Sequence, residues 1–388
     1  MPNIGSRNIL YVLPSLKWNT KERRAIKDMT QARDHGYNVI LMAQENSFVA
    51  QVGKEYDFEV EFIKNSFVNS LMSFHRHISL HNIFKHHHID IVHFYDSSIL
   101  CSIAFQLKPH IKTALVFTQS SPIDKTLKFF WYRPFINRLD SLLLSNKNLL
   151  DDAQGNLGLE SKKIEYFGNG IRFDSYLKES DITVNFDLYK DYFLAATYVS
   201  PGVDDHTLIA PILHALTVIN QKQPAGKKSK VILISPVDFQ TFDYLPKLMK
   251  EIQELGLEED VLFVSTKDIP GLISHFDLWI SNSPEELIED HALCALTHEV
   301  PVILARNYCA KELLAEYEGV GESYKLYDAR ELRVRWESIM MSKSVYREKT
   351  RLYKFFIERE HSFKNYRAQL MSVYSRSISR RIRESRQK

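Results

Sequence analysis

The chain has 388 residues, long for one hydrophobic core and comfortable for two. Its 44% hydrophobic and 25% charged content is that of an ordinary globular protein, which excludes wholesale disorder. With 50 Lys and Arg against 48 Asp and Glu there is no basic excess of the kind that nucleic acid requires as main partner.

In chain order, Asn8 to Pro14 is a short apolar run closed by a turn residue, the pattern of a buried parallel strand. A helix is predicted from about Thr20, with Ala25, Ile26, Met29 and Ala32 on one face and Gly36 just past its end. Asn38 to Met42 is the next strand, so the first forty residues make a βαβ unit. Ile89–Phe94, Ala114–Phe117, Ser141–Leu144 and Ile164–Phe167 continue the series. The pattern lapses into polar sequence around 176 to 190. It restarts with Tyr192–Ala196, Val231–Ile234, Val261–Val264, Leu278–Ile280 and Val300–Leu304. Lys222 to Lys230, with Pro224, Gly226 and four lysines, reads as a solvated loop.

Two βα series in succession predict an α/β protein of two doubly wound domains, 1–178 and 190–355, joined near residue 180. Ligands of such sheets bind beyond the carboxyl ends of the strands, so an interdomain cleft is the expected site. Segment 356–375 is expected to be a terminal helix returning to the first domain. The basic tail 376–388 reads as disordered in preference to lipid-bound. Cys101, Cys294 and Cys309 are too scattered for a disulfide framework or a metal site and read as reduced thiols in a cytoplasmic protein. Ile9 to Leu13 is too short for a signal-peptide core, and no segment approaches eighteen apolar residues. Peripheral contact through the basic tail is the most membrane association expected.

The second half, in Ile280-Ser281-Asn282-Ser283-Pro284-Glu285-Glu286 and then Ala295 to Val302, resembles the GT-B glycosyltransferases of the large retaining group often called family 4. The likeness extends upstream through Leu255-Gly256-Leu257 and Leu272 to Leu278. Phe167-Gly168-Asn169-Gly170-Ile171 is similar to the Asn-Gly turn that ends that family's first domain. The resemblance covers about residues 160 to 375 and is weak before that. It implies two Rossmann-like domains, a nucleotide-sugar donor on the second domain, a glycan or lipid-linked acceptor on the first, and no metal or other cofactor.

The departures concentrate at the implied donor site. Of the family's paired glutamates the first falls on Glu286, while the second, which holds the ribose, is Cys294, a poor substitute for a carboxylate acceptor. Tyr198 and Pro201 stand where an Arg and a Lys usually clamp the diphosphate. Tyr308-Cys309 replaces the Gly-Gly that follows Pro-Val, Trp18-Asn19 replaces the Gly-Gly loop after the first strand, and Gln119 replaces a His. One group aimed at transition-state charge is worth about a hundred- to a thousandfold in rate, so two missing cations would cost roughly 5 kcal/mol unless replaced. Lys267, Arg172 and Arg306 lie on loops expected at the same cleft and are the candidate replacements.

Each candidate also has a plainer reading. Ser283-Pro284-Glu285-Glu286 is a capping box, so Glu286 serves as a cap, a donor contact or both. The helix N-terminus behind Ser283 favours an anionic phosphate in either case. His93 reads as a satisfied core histidine ahead of a ligand contact, with Asn169 and Gly170 on the hinge side of the cleft. His75, His77, His81 and His86 to His88 read as a solvated basic surface, since consecutive helical histidines point in different directions. Cys294, beside Leu293 and Leu296, reads as core packing.

The expected function is transfer of a sugar, with retention, from a nucleotide-sugar to a glycan or lipid-linked acceptor in glycan biosynthesis. The alternative is a pseudoenzyme that keeps the fold as partner of an active glycosyltransferase subunit. A nucleotide-sugar epimerase shares the fold but asks for more carboxylates and histidines than the sequence supplies.

Overall fold

The structure, a computed structural model, describes all residues except 1–6, 17, 19, 64–79, 120–131, 148, 167, 172, 174–183, 200–205, 224–227, 267, 284–289 and 387–388. The chain forms two compact units, one of residues 1–169 and 364–388, the other of residues 170–363.

The first unit holds a parallel seven-stranded sheet. Its strands are β1 (Asn8–Leu13), β2 (Asn38–Ala43), β3 (Glu59–Phe62), β4 (Ile91–Phe94), β5 (Ala114–Gln119), β6 (Ser141–Leu144) and β7 (Ile164–Tyr166). They are ordered β3-β2-β1-β4-β5-β6-β7. Alternate side chains feed two cores: Leu10 and Val12 of β1 join one, Ile9, Tyr11 and Leu13 the other. This is why the strands read as unbroken apolar runs. The helix Thr20–Asp34 covers the second core with Ala25, Met29 and Ala32, and Gly36 stops it at φ +94°.

The second unit repeats the plan with β8 (Phe193–Tyr198), β9 (Ser229–Ser235), β10 (Val261–Ser265), β11 (Leu278–Ser281), β12 (Val302–Ala305) and β13 (Gly321–Tyr324). All pair in parallel, in the order β10-β9-β8-β11-β12-β13. Here too the sheet is buried on both faces, with Ala196 and Tyr198 in one core and Ala195 and Val199 in the other.

Two strands escape the sequence pattern, and both are edges. Glu59-Val60-Glu61-Phe62 is partly exposed along its length, and Gly321-Glu322-Ser323-Tyr324 is buried only at Tyr324. A strand covered on one side needs no continuous apolar run. Gly321 is further required by space, because a Cβ there would lie 2.2 Å from the Val302 carbonyl oxygen of β12.

The unit boundary falls at Asn169 and Gly170, earlier than the polar stretch suggests. Phe186 explains part of the shift: it is buried in the second unit, stacked on His275 at 4.7 Å and edge-on to Phe276 at 5.7 Å. The terminal region also differs from expectation. A helix Lys343–His361 ends at Ser362, which is extended, and a second helix runs Phe363–Arg386. Ser362 is held by a bridge to Ile171, whose N–H donates to the His361 carbonyl at 2.7 Å while Phe363 N–H donates to the Ile171 carbonyl at 3.1 Å.

The expectation of a disordered tail from 376 is corrected: residues 376 to 386 are helical. Tyr366, Leu370, Val373, Tyr374 and Ile378 lie at helical spacing and complete the core that Thr20–Asp34 began. Arg381 is 7% exposed and grips the fully buried Asp140 through Nε (3.0 Å) and Nη2 (2.6 Å), while Arg138 reaches the same carboxylate at 3.1 Å. Asp140 also accepts from Leu115 N–H at 2.8 Å, so the pair is anchored to β5.

Removing one partner of a buried pair strands the other charge. Asp140→Ala is therefore expected to cost about 3–5 kcal/mol in denaturant unfolding of the first unit. A loss below about 1 kcal/mol would show that the seam at Arg381 contributes little.

Candidate functional site

In a doubly wound sheet the crevice opens where the strand order reverses, past the carboxyl ends of the two strands at the switch. In the second unit those strands are β8 and β11, ending at Tyr198 and Ser281. Tyr198 is 5% exposed, and its ring lies 4.7 Å from that of His291, on the helix Asp290–Thr297. His291 also approaches Trp279 of β11 at 5.7 Å. Asn282 follows β11 and donates to the Leu208 carbonyl at 3.3 Å, tying the strand end to the helix His206–Lys222. Ser283 is next and half-buried.

Of the residues singled out from sequence, Glu286, Lys267 and Arg172 lie outside the described residues, as do His75 and His77. Cys294 is 1% exposed within the core, its sulfur 3.7 Å from His298 Nδ1. Arg306, just past β12, is bound by Glu331 at 2.5 Å. Glu331 also accepts from Lys325 N–H at 2.8 Å. Partial burial works to raise the Glu331 carboxyl, but the Lys325 N–H and Arg306 outweigh it and hold it below its ordinary value. The charge of Arg306 is thus compensated within its own unit. Asn307 caps the helix Tyr308–Glu316, accepting from Ala310 N–H at 2.7 Å, with Tyr308 exposed and Cys309 buried.

Asn169 and Gly170 are the last residue of the first unit and the first of the second. Gly170 takes φ +63°, and the Asn169 carbonyl accepts from Lys27. His87 lies 3.4 Å from Glu59 on the surface.

In the first unit the switch lies between β1 and β4, and there the structure gathers buried polar groups. Tyr11 and His93 are register partners. The Tyr374 hydroxyl meets Tyr11 Oη at 2.7 Å and His93 Nδ1 at 2.8 Å, while His93 Nε2 meets Thr118 Oγ1 at 2.8 Å. A neutral imidazole, one nitrogen donating and the other accepting, satisfies both bonds. Burial, reinforced by the charge of Arg24, lowers the His93 pKa to about 3. Alongside, Asp28 accepts from the hydroxyls of Tyr95 and Tyr366, and the Arg24 guanidinium sits 5.5 Å from the Tyr366 ring centre. Burial pushes the Asp28 carboxyl up against the pull of Arg24. Gln119 is 3% exposed at the end of β5, where its carbonyl accepts from Ser145 N–H at 3.2 Å.

The Tyr198–His291 pair, Asp28 and the two tyrosines of the terminal helix were missed by motif reading. A signal existed for the last three. Arg24 and Asp28 are one turn apart on a helix face with Ala25 and Met29, and Tyr366, Leu370 and Tyr374 share another.

No known family profile matches the sequence, and no curated protein matches it. Solved structures do match in shape. A glycosyltransferase from Rickettsia africae ESF-5 superposes with a TM-score of 0.71 at 15% identity, over 96% of this chain and 99% of that one. Anabaena HepE in complex with UDP gives 0.66 at 18% identity, over 95% and 99%. The lipopolysaccharide glycosyltransferase WaaG gives 0.58 at 13%, over 93% and 99%. The chain has the GT-B fold. Two parallel Rossmann-like sheets of seven and six strands, each wound on both faces, account for the match. Among the described residues of this GT-B chain, no helix is long and apolar enough to cross a membrane.

The neutral His93 makes a pH prediction. Unfolded histidine takes its proton near pH 6.5, folded His93 only near 3, so between these values the unfolded state binds more protons. Stability should fall as pH drops below about 6.5, by about 1.4 kcal/mol per pH unit from this residue. Comparing unfolding free energies of the wild type and His93→Gln between pH 6.5 and 5 checks it. Equal slopes in the two proteins would refute the assignment.

Proposed function

We propose that the protein transfers a sugar, with retention, from a nucleotide-sugar donor to a glycan or lipid-linked acceptor. The observation that carries this reading is the GT-B strand order, with its second-unit switch point at Tyr198 and Ser281 to Ser283, shared in fold with a protein solved with UDP and with UDP-glucose. In the reaction the anomeric carbon exchanges a phosphate oxygen for an acceptor hydroxyl oxygen, and the hydroxyl proton leaves with the nucleoside diphosphate. In this reading Glu286 and the segment after Ser283 contact the donor. Tyr198 and Pro201 stand where the family's diphosphate clamp is implied, and neither side chain is a cation. A buried diphosphate needs compensating charge. Arg306 already serves Glu331, so Lys267 and Arg172 take the larger share.

A thermal-shift screen against UDP-, GDP- and ADP-sugars tests the reading, since a ligand of the native state raises its midpoint. We expect one donor class to stabilise the protein. Lys267→Ala with Arg172→Ala should weaken that binding by at least about tenfold each, a loss of about 1.4 kcal/mol per substitution, and Arg306→Ala less. Tight binding that survives all three changes would place the phosphates on backbone N–H groups instead.

Glu286→Gln separates the two roles of that residue. Gln still completes a capping box, so stability should hold within about 0.5 kcal/mol while donor binding or turnover is lost. Unchanged binding leaves Glu286 as a cap alone.

One observation favours the second reading, a catalytically silent partner of an active glycosyltransferase. Cys294, at the implied ribose-holding position, is sealed in the core at 1% exposure. Absence of any nucleotide-sugar binding at millimolar concentration would decide for it.

A further inference from the structure

The first unit contains a cavity of about 640 Å³ at the opposite end of its sheet from the switch point. One wall is the turn Ser161–Lys163, which precedes β7. The other is the face of the terminal helix carrying Arg376, Arg380 and Arg383, spaced four and seven residues apart so that they line up. Ligands of a doubly wound sheet bind at carboxyl ends. This cavity lies at the amino ends of β6 and β7, so the donor reading does not use it.

Its charge is not balanced. Five cations line it against two carboxylates, Glu160 and Glu384, although one of the five, Arg376, is paired with Glu165 just outside the lining. Glu384 is engaged by Arg381 at 3.2 Å and Glu160 by Lys162 at 2.5 Å. Two of the cations are held by neutral oxygens. Lys163, 8% exposed, donates to the carbonyls of Leu139 (2.9 Å) and Asn137 (3.2 Å). Arg380 donates to the carbonyls of Asp140 and, at 3.0 Å, Lys162. Carbonyls fix these side chains without cancelling their charge. Burial pushes the Lys163 ammonium below its ordinary pKa, with Asp140 and Glu384 pulling the other way. Ser375 and Ser379 add hydroxyl donors on the same helix face. Preoriented cations and hydroxyls around an open space of this size are the chemistry of a phosphate site.

We propose that this cavity binds phosphate groups, either of a free phosphorylated compound or of an anionic lipid headgroup. The site is independent of the sugar-transfer reading. The test uses the full chain, with pyrophosphate followed by calorimetry, and vesicles of phosphatidylglycerol in phosphatidylcholine followed by co-sedimentation. The variant is Lys162→Glu with Arg383→Glu, both side chains exposed, so the fold should stand and its unfolding midpoint serves as the control. We expect at least one probe to bind, and the double variant to bind it at least tenfold more weakly while its nucleotide-sugar response is unchanged. Loss of vesicle binding, with pyrophosphate competing, identifies a headgroup; binding of pyrophosphate alone identifies a free phosphate compound. Failure of both probes at about 10 mM pyrophosphate and high vesicle load, or equal binding by the folded variant, overturns the proposal.

Discussion

A parallel sheet is stable only when both of its faces are covered, and in the first unit one cover is supplied by the far end of the chain. Helix Phe363–Arg386 lays Tyr366, Leu370, Val373, Tyr374 and Ile378 against the core built by β1, β2 and helix Thr20–Asp34. Hydrophobic burial alone would let such a helix slide by a turn. Polar groups fix its register: Tyr374 on Tyr11 and His93, Tyr366 on Asp28, Arg381 on Asp140. Each of these groups would be costly to leave unpaired in the interior, so a shifted helix is penalised at three places along its length. The first unit is thereby assembled from residues more than two hundred positions apart.

That arrangement explains which parts of the fold could be read from the sequence. Central strands such as Ile9 to Leu13 and Val231 to Ile234 announce themselves because both faces are buried. Glu59–Phe62 and Gly321–Tyr324 do not, since an edge strand relaxes the requirement. The helical character of Glu358 to Tyr374 was legible, but not the break at Ser362 that divides it between two helices. The extension to Arg386 was hidden because Arg376, Arg380 and Arg381 look like a solvated charge run. Their partners, Glu165, two backbone carbonyls and Asp140, are distant in sequence. A run of like charge is disordered only while its counter-groups are elsewhere.

The candidate site was legible to a lesser degree for a related reason. The resemblance implies a donor-site segment at Ile280 to Glu286, and the strand order places β11 at the switch. Motif comparison could record that Tyr198 stands in place of a cation. It could not show that the ring of His291, ninety-three positions on, would lie tilted against it, because a ring contact leaves no trace in spacing. Nor could it show that Arg306 is taken by Glu331. A positive residue on the right loop is a candidate clamp only while its charge is uncommitted.

The formal charge of the whole chain, +2, hides a contrast between regions. The described part of the second unit's switch point presents an aromatic pair, amides and hydroxyls, with its nearby arginine neutralised. The amino end of the first unit's sheet carries surplus positive charge, oriented by carbonyls that do not cancel it. Coulomb attraction between unit charges a few ångströms apart rises severalfold once water is partly excluded, so compensation has to be local. A balanced total therefore says little about where an anion will bind. On these grounds the proposed diphosphate of the second unit would need cations other than the paired Arg306, whereas an anion at the terminal helix would meet cations already in position.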